Sequence, residues 1–257
     1  NDEGQSEMVS LVTGRREPIA RLHPAIKGVV GAQSMGASLV GFNCEAFESY
    51  GHAKEQGRNA PVDVKSTQAY TTALNYLLAH RGHRGRFGDT TVVFWSSSQT
   101  ADQGNCSVLS LALGFSIFES KESESEATSN LKAALERLQA GKPVDIEGVS
   151  FGDEFYLLGL APNAARLSVR FFLRDSFGEV MRHVADHYRI TDVCHAAFDP
   201  PIATPYRLLD SLENPNAKDP VISSQLSAAD ALDTARGKVP GGVVPERPAS
   251  RSRYENG

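Results

Sequence analysis

An α+β fold, a mixed sheet with flanking helices, is what this sequence predicts, and three observations carry that expectation. Between Ser66 and His80, and again after Ser176, apolar residues recur at helical spacing. Thr90–Trp95, Phe155–Leu160 and Ala165–Leu173 are short, apolar runs rich in β-branched or aromatic residues, the composition of strands. From Val9 to Asn43 the apolar residues come in brief runs broken by Gly and Pro, which predicts short strands and loops.

Taken in order, residues 1–8 form a polar, acidic stretch expected to be a disordered lead, and the start on Asn1 rather than Met suggests a fragment. Residues 9–118 read as a basic α+β region containing a Gly-rich loop. In it, Pro61 opens a helical stretch over Ser66–His80 with Ser66 as N-cap and Ala69, Tyr70, Ala73, Leu74, Leu77 and Leu78 on one face. The helix runs into a basic turn, HRGHRGRFGD, whose glycines cannot sustain it. Thr90–Trp95 is expected to be a buried strand with Trp95 in the core; Val108–Phe118 reads as strand or short helix. Residues 119–129 look like an acidic, Ser/Glu-rich solvated linker.

Residues 130–195 read as an α-β-β-α region. Leu131, Ala134, Leu135 and Leu138 mark a helix over Asn130–Ala140 stopped by Gly141 and Pro143. Two strands follow, joined around Pro162–Asn163. Strict alternation would put Arg166, Ser168, Arg170 and Phe172 on one face of the second and Leu167, Val169 and Phe171 on the other. Ser176 with Glu179 is a capping box for a helix over Ser176–Arg189, with Phe177, Val180, Met181, Val184 and Tyr188 as its buried stripe. Residues 196–257 form a Pro-rich, largely irregular tail, and beyond Ala229 the apolar density is too low to fold alone.

Bulk composition narrows the function classes. With 40% hydrophobic and 22% charged residues in a chain of 257, a soluble globular protein is expected. The net charge of -5 is unevenly spread. Leu11–Trp95 holds ten Lys/Arg against six Asp/Glu, a net of +4, whereas Glu119–Glu154 holds nine acids against four bases, a net of -5. Such asymmetry predicts that one half faces an anion. Cys44, Cys106 and Cys194 lie far apart with no C-x-x-C pair, so neither a disulfide framework nor a zinc knuckle is supported, and a cytoplasmic location is expected. The run Val108–Phe118 is about half the length a bilayer requires, so no membrane partner is expected.

The most informative stretch is Arg15–Asn43. Arg15, Arg16, Arg21, His23 and Lys27 precede a loop carrying Gly28, Gly31 and Gly36, and Gln33, Ser34, Ser38 and Asn43 sit among those glycines. Glycines let backbone approach a ligand, and exposed N–H groups suit anionic oxygens. Cations could contact phosphate, and Gln and Ser can pair with base edges. Arg81, Arg84 and Arg86 in the basic turn form a second candidate backbone contact. A P-loop is poorly supported because the Gly-Lys-Ser/Thr ending is missing, and Gly31–Gly36 misses a G-x-S-x-G elbow by one residue. A hydrolase using Ser34 or Cys44 with His23 or His52 remains the rival from another class, and a purely structural scaffold subunit is a third possibility. His183 and His187 stand i, i+4 without a third ligand and read as a surface pair, so no metal or other cofactor is expected. Arg166, Arg170 and Arg174 make a spaced basic row, Asn163 shapes a turn, and Phe171 and Phe172 suit base stacking as well as core packing.

Several segments together resemble the large subunit of the type I-C CRISPR interference complex (Cascade), the Csd-one family. They are SLVTG at Ser10–Gly14, PIARLHPAIKGV at Pro18–Val29, GAQSMGASLVGFN at Gly31–Asn43 and AFESYG at Ala46–Gly51. They continue with AYTTALNYLL at Ala69–Leu78, GDTTVVFW at Gly88–Trp95 and FYLLGLAPNAARLSVRFF at Phe155–Phe172, so the likeness runs in order over roughly residues 9–228. The resemblance implies a non-enzymatic DNA-recognition subunit that helps find a short protospacer-adjacent motif (PAM), separate the strands and present the target to a nuclease-helicase. Its implied partners are double-stranded target DNA, the guide RNA complex and the other Cascade subunits. Target sequence is then read by guide pairing, and protein reads only a short duplex signal. Family members usually carry Cys where this chain has Ser10, and they are longer at both ends, so an incomplete copy is expected.

Overall fold

The computed structural model describes residues 6–42, 44–48, 51–52, 54–87, 89–98, 107–115, 121–142, 146 and 148–190; Asn43, Cys106, Cys194 and the tail from 196 lie outside the described residues. The order of elements is β1 (Glu7–Val9), β2 (Arg16–Pro18), α1 (Val64–Ala79), β3 (Arg84–Phe87), β4 (Thr90–Ser96), α2 (Ser107–Ala112), α3 (Lys121–Gln139), β5 (Glu154–Asn163), β6 (Arg166–Ser176) and α4 (Phe177–Ile190). The fold is α+β, as expected. Strands β3-β4-β5-β6 form one sheet in that order, antiparallel throughout, and β1-β2 form a small separate ribbon. Among the described residues, parallel pairing is confined to an isolated bridge between Ser38 and Arg166.

Around Thr90–Phe94 both faces of the four-stranded sheet are covered, which explains why this stretch is buried at every position instead of alternating. Successive side chains point to opposite faces. Val92 and Phe94 enter one core with Phe155, Leu157 and the apolar stripes of α2, α3 and α4. Val93 enters the other with Ile26, Val29, Ala37, Leu74, Leu78, Leu160 and Leu167. Phe94, Phe155 and Phe177 are fully buried, with neighbouring ring centroids 6.2 and 5.7 Å apart. Gly85 on β3 is required by this packing, because a Cβ there would stand 2.1 Å from the Phe115 ring.

Local chemistry sets the helices. The start of α1 is capped by Asp63, whose carboxylate accepts from the Ser66 N–H at 2.7 Å, so Asp63 and not Ser66 is the N-cap. The buried stripe is Thr67, Thr71, Leu74 and Leu78, whereas Ala69 and Ala73 are exposed. Thr71 is accommodated because its hydroxyl donates to the Thr67 carbonyl at 2.8 Å. The stretch expected as a solvated linker is helical from Lys121 onward: Ala127 and Leu131 fall on the buried stripe of α3, and Glu and Lys are good helix formers. The run from Val108 resolves as the short helix α2. Helix α4 follows expectation closely, with the Glu179 N–H on the Ser176 hydroxyl at 3.2 Å and all five expected stripe residues buried. His187 belongs to that buried face, and burial lowers its pKa, so the surface-pair expectation does not hold for it. The first strand begins at Glu7, inside the expected disordered lead, because Met8 pairs with Glu17.

One irregularity reorganises β6. The register runs Gly159↔Phe171 but Leu160↔Val169, so Arg170 is an extra residue in a β-bulge. Leu167 and Val169 therefore face α1, whereas Phe171 joins the opposite core, and strict alternation fails. Phe172 falls on the α1 side. Gly159 allows this because a Cβ there would stand 2.5 Å from the Phe171 ring. Among the described residues, no helix is long and apolar enough to cross a membrane. Phe155→Ala is expected to lower the unfolding free energy by about 3–5 kcal/mol, measured by urea denaturation, because it empties the centre of the larger core.

Candidate nucleic-acid interface

The basic N-terminal segment is not an appendage; it supplies Ile26, Val29 and Ala37, three of the eight buried residues of the core on the α1 face. Its backbone is laced to the residues before α1. Ile19 bridges Asp63, the Leu11 N–H donates to the Pro61 carbonyl at 2.8 Å, and the Ala20 N–H donates to Val62 at 2.9 Å. The buried Ser10 hydroxyl donates to Asp63 at 2.7 Å. With bonds from Ser66 and Ser10, the Asp63 carboxyl is held down from 3.8 to about 2. Ser10 therefore acts as a structural donor.

Further along, the loop 27–36 is closed at its base by reciprocal bonds between Ile26 and Ala37, both 2.9 Å. Asn75 of α1 clamps the same base: its side-chain carbonyl accepts from Lys27 N–H at 2.8 Å and its amide donates to Ala25 at 3.3 Å. The Val30 N–H donates to the Thr91 hydroxyl at 3.0 Å, tying the loop to β4. Gly31 (φ 79°) and Gly36 (φ 95°) make its two reversals in the left-handed region that side chains disfavour. At Gly36 a Cβ would also stand 2.9 Å from the Ile26 carbonyl. The Gly36 N–H closes a turn on Gln33 at 2.8 Å. This leaves Gln33, Ser34 and Met35 exposed at the tip, with Met35 at 80% the most exposed large apolar side chain described.

The expected site residues divide along α1. Arg15 and Arg16 are exposed on the β1–β2 ribbon beside Ser10, near the N-terminal end of α1; Arg16 lies a loose 3.8 Å from Glu7. Arg21 is exposed and donates to Gln56 at 2.8 Å. Lys27, Gly31, Gln33 and Ser34 are exposed near the C-terminal end, as are Arg81 and Arg86. Arg86 pairs with Thr91 across β3–β4, the residue that holds Val30, so it flanks the loop. The 16-residue helix puts about 24 Å between the two groups. Two expectations are corrected. Arg84 is half-buried and donates to the Leu78 carbonyl at 2.7 Å, satisfying the open end of α1. Ser38 is half-buried at a tether, its N–H on Ala165 and its carbonyl accepting from Leu167. The basic turn is in part a strand edge, since Arg84–Phe87 is β3.

The structure adds one residue that the sequence reading passed over, and gives the first member of the spaced basic row a ring partner. Asn75 looks like one more polar residue on a helix, and only the fold shows its two bonds. Arg166, beyond the Ser38 tether, lies with its guanidinium 3.8 Å from the Phe47 ring centroid.

The histidines of the rival catalytic reading bond to other side chains. Ser34 and Cys44 are both exposed. His23 is buried with Nδ1 at 2.5 Å from the Tyr70 hydroxyl; burial lowers the imidazole and pushes Tyr70 up to about 12. That pair stays neutral and braces the segment against α1. His52 is paired with Glu55 at 2.8 Å.

Because the depressed Asp63 contributes stability above its ordinary pKa and loses it as pH falls toward about 2, the wild type should destabilise through that window. Asp63→Asn, which cannot titrate, should show a flatter acid limb in unfolding experiments between pH 4 and 2. Asn75→Ala should speed amide hydrogen exchange at Lys27 by about three- to tenfold, the loss of one ordinary hydrogen bond.

Residues 1–232 match the family model described as CRISPR-associated protein (Cas_Csd1). A comparison with curated proteins finds no match. The family match covers β1 through α4 and every candidate residue described above. The chain therefore belongs to the Cas_Csd1 family of CRISPR-associated proteins.

Proposed function

We propose that this chain is the DNA-recognition large subunit of an RNA-guided type I-C surveillance complex, engaging the target duplex beside the PAM and breaking no bonds itself. The observation that supports this best is the loop 27–36. It is held at its base by Asn75, Ile26–Ala37 and Thr91, yet presents Gln33, Ser34 and Met35 to solvent between Lys27 and Arg86. A pre-shaped loop spends no binding energy on becoming ordered. Its Gln and Ser groups suit base edges, and the flanking cations suit phosphates.

In this reading the duplex lies along α1. Arg15, Arg16 and Arg21 hold backbone toward one end and Lys27, Arg81 and Arg86 toward the other, a span of about 24 Å or roughly seven base pairs. The loop reads the motif; guide RNA reads the rest. Strand separation then begins beside the loop, and other complex subunits and a recruited nuclease-helicase complete interference in the cytoplasm.

Replacing Arg21 and Lys27 together with Ala in the reconstituted complex is expected to weaken target binding and to reduce the slope of log affinity against log salt by about 2, roughly 0.9 per lost phosphate contact. A gel-shift titration over several salt concentrations measures both. Unchanged affinity and slope would remove these cations from the interface, and failure of the complex to crosslink target DNA through this subunit would favour a scaffold role.

A further inference from the structure

A second surface, unused by the reading above, stands on the α1 side of the sheet. Trp95, Tyr156 and Phe172 occupy three adjacent strands, β4, β5 and β6. Trp95 is in register with Tyr156, and their rings stack at 5.2 Å with 8° between planes. The Phe172 ring lies 6.3 Å from Tyr156 and 6.4 Å from Trp95. Trp95, expected in the core, is only half-buried, and Phe172 is 53% exposed. Solvent-facing positions of an antiparallel sheet are ordinarily polar, so three neighbouring rings there call for an occupant.

Helix α1 covers this face only in part. Between them runs a groove of about 1050 Å³ whose walls include Trp95, Leu158 and Leu39 on one side and Ala69, Ala73 and Leu77 on the other. Its single charged lining residue is Lys65. Beyond Tyr156 stands Arg174, with its guanidinium 5.8 Å from the ring centroid. The nearby acid, Glu154, is engaged by Arg174 and by the Tyr156 hydroxyl. Lys65 thus stands at one margin of the aromatic face, and at the other Arg174 and Glu154 neutralise each other.

We propose that this ladder is a stacking platform for single-stranded nucleic acid. Bases stack on aromatic faces regardless of sequence. Trp95, Tyr156 and Phe172 already stack on one another across the three strands, so a base would extend this ladder from the exposed Phe172 ring. Lys65 at the margin and the guanidinium edge of Arg174 suit the phosphates of that occupant, and aromatic rings suit bases better than they suit the aliphatic ridge of a protein helix. The platform lies about 20 Å along β5 from Pro162, against which the Gly31 loop rests, so loop and platform occupy different ends of one sheet. The proposal extends nucleic-acid binding to a new site and is tested independently of the loop.

Trp95 is the sole tryptophan of the chain, so its emission reports the platform directly. Titrating the intact chain with a thymidine oligonucleotide of about 15 residues is expected to quench that emission. Phe172→Ala should weaken binding by about tenfold, and Phe172→Leu, which keeps apolar bulk without a ring, should weaken it comparably. Arg21→Ala with Lys27→Ala should leave the quenching intact, so loss of duplex binding and loss of the platform are separately visible. Unaltered Trp95 emission would overturn the proposal. So would full binding by Phe172→Leu, which would mark the face as an apolar dock for a protein.

Discussion

Burial of the central sheet on both faces is the constraint from which the rest follows. Over Thr90–Phe94 strand β4 has no solvent side, so a layer must cover each face there. Helices α2, α3 and α4 supply one layer as ordinary amphipathic elements. The other layer needs more than α1, and Ile26, Val29 and Ala37 of the N-terminal segment complete it. A segment with little regular structure is thereby fixed as part of a core, and its Arg and Lys side chains are presented from a firm base.

Fixing such a segment requires its backbone polar groups to be paired, since buried N–H and C=O groups left unmet are costly. The solution is a short series of bonds to regular elements and the chain before α1: the side chains of Asn75 on α1 and Thr91 on β4, and backbone bonds between Ala20 and Val62 and between Ser38 and Leu167 of β6. Each lies at a place where the loop backbone cannot pair with itself. Arg84 follows the same logic from the opposite direction, closing the C-terminal carbonyls of α1 with a side chain that charge alone would assign to a ligand. Cation count overstates an interface when some cations are structural.

Much of this was legible in the sequence. The capping box at Ser176–Glu179, the apolar stripe of α4 and the β-branched run of β4 are local signals, and local signals survive folding. The Gly-rich loop was legible for the same reason, because left-handed turns at Gly31 and Gly36 leave a direct mark in composition. What was not legible is non-local. The bulge at Arg170 depends on how Phe171 packs over Gly159, so no periodicity in β6 alone reveals that Phe172 changes face. The acidic stretch before Leu131 looked solvated because most of its residues are polar, yet Ala127 one turn back suffices to carry the helix toward Lys121. Asn75 carries no sequence mark at all, because its partners lie some fifty residues away.

The account rests on the exposed tip of the loop lying against duplex DNA. The most direct measurement places a photo-crosslinking residue at Gln33 in the assembled complex and adds a target duplex with a labelled PAM flank. The account predicts a crosslink from Gln33 to that flank, lost when the flank is moved away. Crosslinks from Gln33 to protein alone, with the duplex bound elsewhere, would contradict it.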